Sequence, residues 1–321
     1  MKPLKYLFIS SMLFVATSCG NSWLDLEPST SVDTETSIKI LSDVEFTLNG
    51  IYSTMQSSDA YSGRLVYYGD VTGDDMQAVS STKRVANYYR FNFTKDDNPS
   101  SHWSYLYSII QNCNLILMNI DKLVIDEDDK AYRDDLKGEA LAIRGLALFD
   151  LTRIFGYPYL KDNGASLGVP IIEGLSTIDS KPTRNTVAQC YTKIIDDLTQ
   201  SLSLLGEKFN KGKINKWGAM VLLSRVYLYK GENANALKMA SDAIIGAEKN
   251  KYALWTNEDY PTAWGEDASA SKPGEVLFEI VNLTTDSPGK ESMGYLNSYD
   301  GYDDMCITCS CLLYTSDAAD D

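Results

Sequence analysis

The sequence predicts a mainly α protein: a scaffold of stacked helix pairs with irregular loops and a few short strands. Three observations carry this. The stretch Gly138 to Leu160 is apolar on nearly every side of a helix. Amphipathic helical patterns stand before and after it. A helix-pair repeat spacing occupies Asn215 to Asn250.

At 321 residues the chain can hold one large or two ordinary domains. The formal net charge of −15 argues against nucleic acid as a partner. A single histidine, His102, leaves no multi-His metal site and a poor basis for His acid–base catalysis. It is read as a surface or cap residue. Cys19, Cys113, Cys190, Cys306, Cys309 and Cys311 do not form a disulfide framework. No cofactor is expected.

The chain opens with a signal peptide over residues 1–18. Lys2 and Lys5 precede the apolar run Leu7 to Ala16 and the small residues Ala16, Thr17 and Ser18. That run is shorter than the roughly 20 residues a spanning helix needs. Cys19 follows at once, where a lipoprotein carries its acyl chains, each buried CH₂ contributing about 0.8 kcal/mol of anchoring. Trp23-Leu24-Asp25-Leu26-Glu27-Pro28 and the Ser/Thr run behind it read as a tether.

Val44 to Met55 is the first body helix, with Phe46, Leu48, Ile51, Tyr52 and Met55 as its apolar set. Asp59 to Thr94 reads as loop-rich. Asp70, Asp74 and Asp75 within it are turn formers rather than a cation site, because the spacing is not an EF-hand's. From His102 a second amphipathic helix buries Leu106, Ile109, Ile110, Cys113, Leu117 and Ile120. The central helix places Arg144 on its buried side, paired with a carboxylate from a neighbouring helix. Gly156 is expected to be left-handed after the last turn, and Pro158 ends it. Thr186 and Gln189 form a capping box before a long helix that buries Val187, Cys190, Ile194 and Leu198.

In Asn215 to Asn250, Met220, Leu223, Ser224 and Tyr227, then Ala236 and Ala240, follow tetratricopeptide spacing, with Gly231 as the turn. Pro273 to Val281 reads as a buried strand. Tyr295, Tyr299 and Tyr302 follow, with Gly between. The closing residues lack periodicity. Cys306, Cys309 and Cys311 lack a fourth metal ligand of the usual type, and CLLYTSDAADD reads like adapter sequence. Residues 306–321 are therefore expected to be a non-native tail on a truncated chain.

Several of these stretches carry a resemblance. GEALAIRGLALFDLTRIFGYPYL resembles the signature helix of the SusD/RagB family, the nutrient-binding surface lipoproteins of Bacteroidetes. WLDLEP behind Cys19, Asn49 to Tyr52 (NGIY), the spacing of Trp103, Tyr107, Ile110 and Asn114, and GEVLFEIV are similar to further family motifs in the family's order. The resemblance implies a helical domain over 19–250 and the start of the family's carboxy-terminal region over 251–305. It also implies a non-catalytic protein, lipid-anchored and surface-exposed on the outer membrane. Such a protein captures oligosaccharide and passes it to a SusC-like TonB-dependent transporter. Peptide is the alternative ligand, since some members serve peptide uptake. A glycoside hydrolase and a helical-repeat adaptor are the other classes, but no carboxylate pair is marked out for the first.

In the family, ligand contacts come from loops opposite the helices. Here these correspond to Gln77–Tyr89 and Tyr295–Tyr302. Tyr88, Tyr89, Tyr295 and Tyr299 are the stacking candidates, with Gln77 and Asn87 as hydrogen-bonding partners. Part of the site is expected in sequence beyond this chain.

Overall fold

The computed structural model describes residues 37–94, 99–177, 179–207, 210, 212–263 and 274–308. Cys19, the signal, the tether and residues 309–321 of the expected tail lie outside these; Cys306, Ile307 and Thr308 of that expected tail are described, the first two within a short strand.

Eight helices and one small sheet organise the described chain up to residue 308. They are α1 (Leu41–Met55), α2 (Arg64–Thr72), α3 (Ala86–Tyr89), α4 (Ser100–Asn119), α5 (Lys130–Phe155), α6 (Val187–Leu204), α7 (Lys216–Lys230) and α8 (Asn233–Lys249). Single turns at Tyr260–Ala263 (α9) and Met293–Asn297 (α10) follow, and Met76–Ala78 (β1) pairs with Met305–Ile307 (β2). Among the described residues, no helix is long and apolar enough to cross a membrane.

The central helix is buried on every side from Gly138 to Thr152. Only a helix apolar nearly all round can be enclosed this way. Successive helices pack on one another, α4 on α5, α5 on α6, α6 on α7 and α7 on α8, and α1 closes against α4. Two glycines set the closest approach. A Cβ on Gly145 would lie 3.0 Å from Leu198 Cγ, and one on Gly138 would lie 2.9 Å from Leu205 Cγ. Larger residues there would push α6 away.

The caps follow the sequence. Gln189 N–H donates to Thr186 Oγ1 at 3.2 Å while Gln189 Oε1 accepts from Thr186 N–H at 2.9 Å. Asn215 Oδ1 accepts from the amides of Trp217 and Gly218, both at 3.0 Å. Gly231 ends α7 at φ +83°, a conformation that suits glycine, and α8 turns back onto α7. There Ser224 Oγ donates to the Ala236 carbonyl at 2.8 Å, which ties the repeat pair together.

Several expectations are corrected. Phe46 is 72% exposed, because the buried face of α1 runs through Val44, Leu48, Ile51 and Met55 and Phe46 points to the other side. The loop-rich reading of 59–94 misses α2, whose buried residues Tyr67 and Val71 are one helical step apart. Asp70 sits in that helix. Gly156 is extended, at φ −108° and ψ 177°. A Cβ on it would come 2.7 Å from the Thr152 carbonyl oxygen, so its role is close packing rather than a left-handed turn.

His102 is fully buried rather than at the surface. Its Nδ1 donates to the Asp59 carbonyl at 3.0 Å, since a carbonyl oxygen only accepts. The strand expected over Pro273 to Val281 has no ladder partner among the described residues. The segment is held by side chains instead. Phe278 and Ile280 pack on the helical core, and Asn215 Nδ2 donates to the Leu277 carbonyl at 2.7 Å.

Candidate functional site

Separate from the main core is a smaller one built from Tyr67, Val71, Val85, Tyr88, Leu296 and Met305. It joins two parts of the chain more than 200 residues apart. β1 and β2 do the joining, antiparallel, with Met76 opposite Ile307, Gln77 opposite Cys306 and Ala78 opposite Met305. Beyond the ladder, Val79 N–H donates to the Asp304 carbonyl at 3.3 Å and Thr308 N–H to that of Asp75 at 3.0 Å. The stretches Gln77–Tyr89 and Tyr295–Tyr302 thereby become neighbours.

Arg84 is the hinge of this region. Its Nε donates to Asp304 Oδ2 at 3.0 Å and its Nη1 to both Glu291 oxygens at 3.1 and 3.2 Å. The guanidinium lies 4.1 Å from the centroid of the Tyr302 ring. Tyr295 meets that ring edge-on, centroids 5.1 Å apart, and Lys83 Nζ donates to the Tyr302 carbonyl. Arg84 and the nearby Lys83 together offset the two carboxylates, so the aromatic surface beside them carries little net charge.

The candidates fall into three situations. Tyr299 is 90% exposed. Tyr295, Tyr89, Asn87 and Gln77 are half-buried at the edge of the small core, and Gln77 Nε2 lies 3.5 Å from Cys306 Sγ. Tyr88 is buried, edge-on to Tyr68 at 5.3 Å, and 5.9 Å from Phe93. Burial pushes the neighbouring Tyr67 hydroxyl up to about 12, so it stays a neutral part of this core.

The sequence reading passed over Arg84, Asp304, Phe91 and Phe93. Phe91 and Phe93 are exposed and meet edge-on at 6.3 Å just past α3. Tyr302 was readable as part of the Tyr/Gly run. Arg84 had no local signal, because its partners are more than 200 positions away. Asp70, Asp74 and Asp75 form no metal set: among the described residues no three His, Cys, Asp or Glu side chains are placed to hold an ion.

Two larger hollows lie elsewhere. One of about 760 Å³ lies against α5 and the end of α6, with Asp135, Glu139 and Lys213 in its wall. Another of about 590 Å³ lies between α5, α7 and the segment Glu275–Ile280. Flat aromatic faces rimmed by paired charges, as around Tyr302, suit ligands with apolar faces and polar edges.

Residues 22–228 match the SusD-like family described as starch-binding and associating with the outer membrane. A SusD-like protein of Formosa agariphila is 28% identical over 94% of this chain and 57% of its own length. A crystal structure of a Bacteroides vulgatus protein of provisional sugar-binding designation is 82% identical. It superposes with a TM-score of 0.84 over 87% of this chain and 62% of that one. A SusD superfamily structure from Bacteroides thetaiotaomicron is 37% identical, with a TM-score of 0.78 over 87% of this chain and 62% of that one. The chain thus spans about six-tenths of the length of each of these three relatives. The family match over most of the body, with a mainly helical fold shared with SusD superfamily structures, places this chain in the SusD-like family.

Proposed function

We propose that this chain is the ligand-capturing part of a non-catalytic outer-membrane lipoprotein. In this reading Cys19 carries the lipid, the aromatic loops bind oligosaccharide, and a SusC-like TonB-dependent transporter receives it. The observation that carries the reading is the union of Gln77–Tyr89 with Tyr295–Tyr302 through β1 and β2, with Arg84 fixed on the Tyr302 ring. A sugar ring offers an apolar face and a rim of hydroxyls. An exposed tyrosine face meets the first, and the amides of Gln77 and Asn87 meet the second. Supporting the reading are the starch-binding description of the family and the sugar-binding designation of the 82%-identical relative.

Calorimetry with neutral α-glucan oligosaccharides, followed by chromatography of the recovered sugar, is the test. Binding with the sugar recovered intact is expected. Released shorter sugars would overturn the non-catalytic role, and heats seen only with peptides would move the ligand class. For the anchor, acyl labelling of the wild type should be lost in Cys19→Ala. For the transporter, cross-linking in the native membrane should capture a TonB-dependent barrel.

A further inference from the structure

His102 is the chain's single histidine, fully buried, and the aromatic loops do not use it. With Nδ1 donating to the Asp59 carbonyl, Nε2 of the neutral ring is left as an acceptor. That atom is buried and has no hydrogen-bond partner among the described residues. A buried polar atom left open in this way is uncommon. A proton added there makes a donor with no acceptor and places a cation among apolar neighbours.

The ring lies where the two cores meet. Behind it on α4, Leu106, Ile109 and Ile110 belong to the main core. In front, Tyr68 of α2 meets it edge-on, centroids 5.7 Å apart, and Tyr68 meets Tyr88 of α3 edge-on at 5.3 Å. Leu65 packs the first turn of α2 on the main core, but its buried residues from Tyr67 onward belong to the small one. The charged groups that face the ring are Asp59 and Arg64, which pair with each other at 2.7 Å. α4 itself carries no Asp, Glu, Lys or Arg. On the α2 and α3 side the titratable groups are the phenols of Tyr67, Tyr68 and Tyr88, and burial raises the first two. Burial lowers the His102 pKa against the opposing pull of Asp59.

We propose that His102 is an acid-sensitive latch between the two cores: its protonation releases α2 and α3 and loosens the small aromatic core, while α5 to α8 stay folded. The closed form holds the proton less tightly than the opened one. Each pH unit below the free histidine value of about 6.5 therefore favours opening by up to about tenfold. Release of ligand in acid rests on the binding role proposed above for the aromatic loops; the latch itself does not.

The full chain is followed from about pH 7.5 to 4.5 by NMR of its single imidazole and by hydrogen exchange, expressed as protection relative to the free-peptide rate at each pH. Protection of residues 67–72 and of α3 is expected to fall with acid, and the imidazole to become charged only as they open, while residues 140–152 keep their protection. His102→Asn keeps a side-chain N–H for the Asp59 carbonyl and takes up no proton, so α2 and α3 should stay protected in acid. An imidazole charged while those residues remain protected overturns the proposal, and this reading needs no variant to fold. So do α2 and α3 opening with the imidazole still neutral, α5 losing protection in step with them, or opening unchanged in His102→Asn. Oligosaccharide that binds at no pH bears on the aromatic loops alone and leaves the latch untouched.

Discussion

Arg144 and Asp197 meet as a fork between α5 and α6, Nε to Oδ2 at 2.8 Å and Nη2 to Oδ1 at 2.6 Å, both side chains buried. The remaining guanidinium arm donates to Asn114 Oδ1 of α4 at 2.8 Å, and Lys193 Nζ reaches Asp197 Oδ1 at 3.2 Å. One arginine thus fastens three helices. Removing a single partner strands the other charge in the core. Asp197→Ala should destabilise by about 3–5 kcal/mol. Replacing the pair together, as Arg144→Met with Asp197→Leu, should cost clearly less than the single change. Urea titration of the two variants checks this, and equal losses in both would remove the pairing argument.

Leu148 lies on the same helix, 3% exposed in the main core. Leu148→Ala should cost about 2–5 kcal/mol, because α5 is enclosed and the site cannot collapse easily. A loss below about 1 kcal/mol would mean that α5 is not the organising element.

How much of this was legible depends on the range of the signal. The core position of Arg144 and its need for a carboxylate could be read from α5 alone. The Thr186 and Asn215 caps and the Gly231 turn are also local chemistry. Phe46 was misplaced because adding it widened an otherwise sound apolar set. His102 was misread because a polar residue at a helix start usually faces water. What pairs it is the Asp59 carbonyl, and Tyr68 packs edge-on against its ring, contacts set by tertiary packing. Residues 274–281 have the composition of a strand but lack its partner, and composition cannot supply one. The candidate loops were each found by analogy. Their meeting depends on β1 and β2, each only three residues long and too short for any periodicity.

Two buried groups make stability depend on pH in opposite senses. Glu139 is 3% exposed, accepts from Tyr52 Oη at 2.8 Å, and is pushed up to about 7 by burial, against the opposing pull of Lys213 and Tyr52. The folded state then holds its proton more tightly than the unfolded state, so stability falls as pH rises from about 4.5 toward 7. Glu139→Gln keeps an acceptor for Tyr52 and removes the charge. It should stabilise by roughly 1–3 kcal/mol at pH 8 and far less at pH 5. His102 acts on the acid side. Burial lowers its pKa, and Nε2 is buried without a partner among the described residues. Its contribution is present above the unfolded histidine pKa of about 6.5 and is lost as pH falls below it. Thermal melts of the wild type and Glu139→Gln across pH separate the two, since the variant keeps only the acid-side dependence. A pH-independent Glu139→Gln effect would refute the first.

The aromatic loops allow binding and folding to be measured apart. Tyr299 touches little, so Tyr299→Ala should leave the melting temperature unchanged and reduce oligosaccharide affinity only if that ring stacks on sugar. Tyr302 is held by Arg84 and by Tyr295, so its ring is preorganised, and losing it should cost binding roughly 1–3 kcal/mol, by analogy with base–aromatic stacking. Arg84→Met differs from both. It leaves Asp304, 4% exposed, without its cation and releases Glu291 as well. Since the arginine itself is one-third exposed, solvent screens part of the loss, and about 1–2 kcal/mol of stability is expected. Its binding loss should match that of Tyr302→Ala if Arg84 acts by positioning that ring. In the double variant the two losses should then be less than additive. Tyr88→Leu should lower stability through the small core, with any effect on affinity following from that. Calorimetry and melting curves on the five variants decide between platform and foundation. Affinity unchanged in Tyr299→Ala, Tyr302→Ala and Arg84→Met together would place the ligand away from these loops.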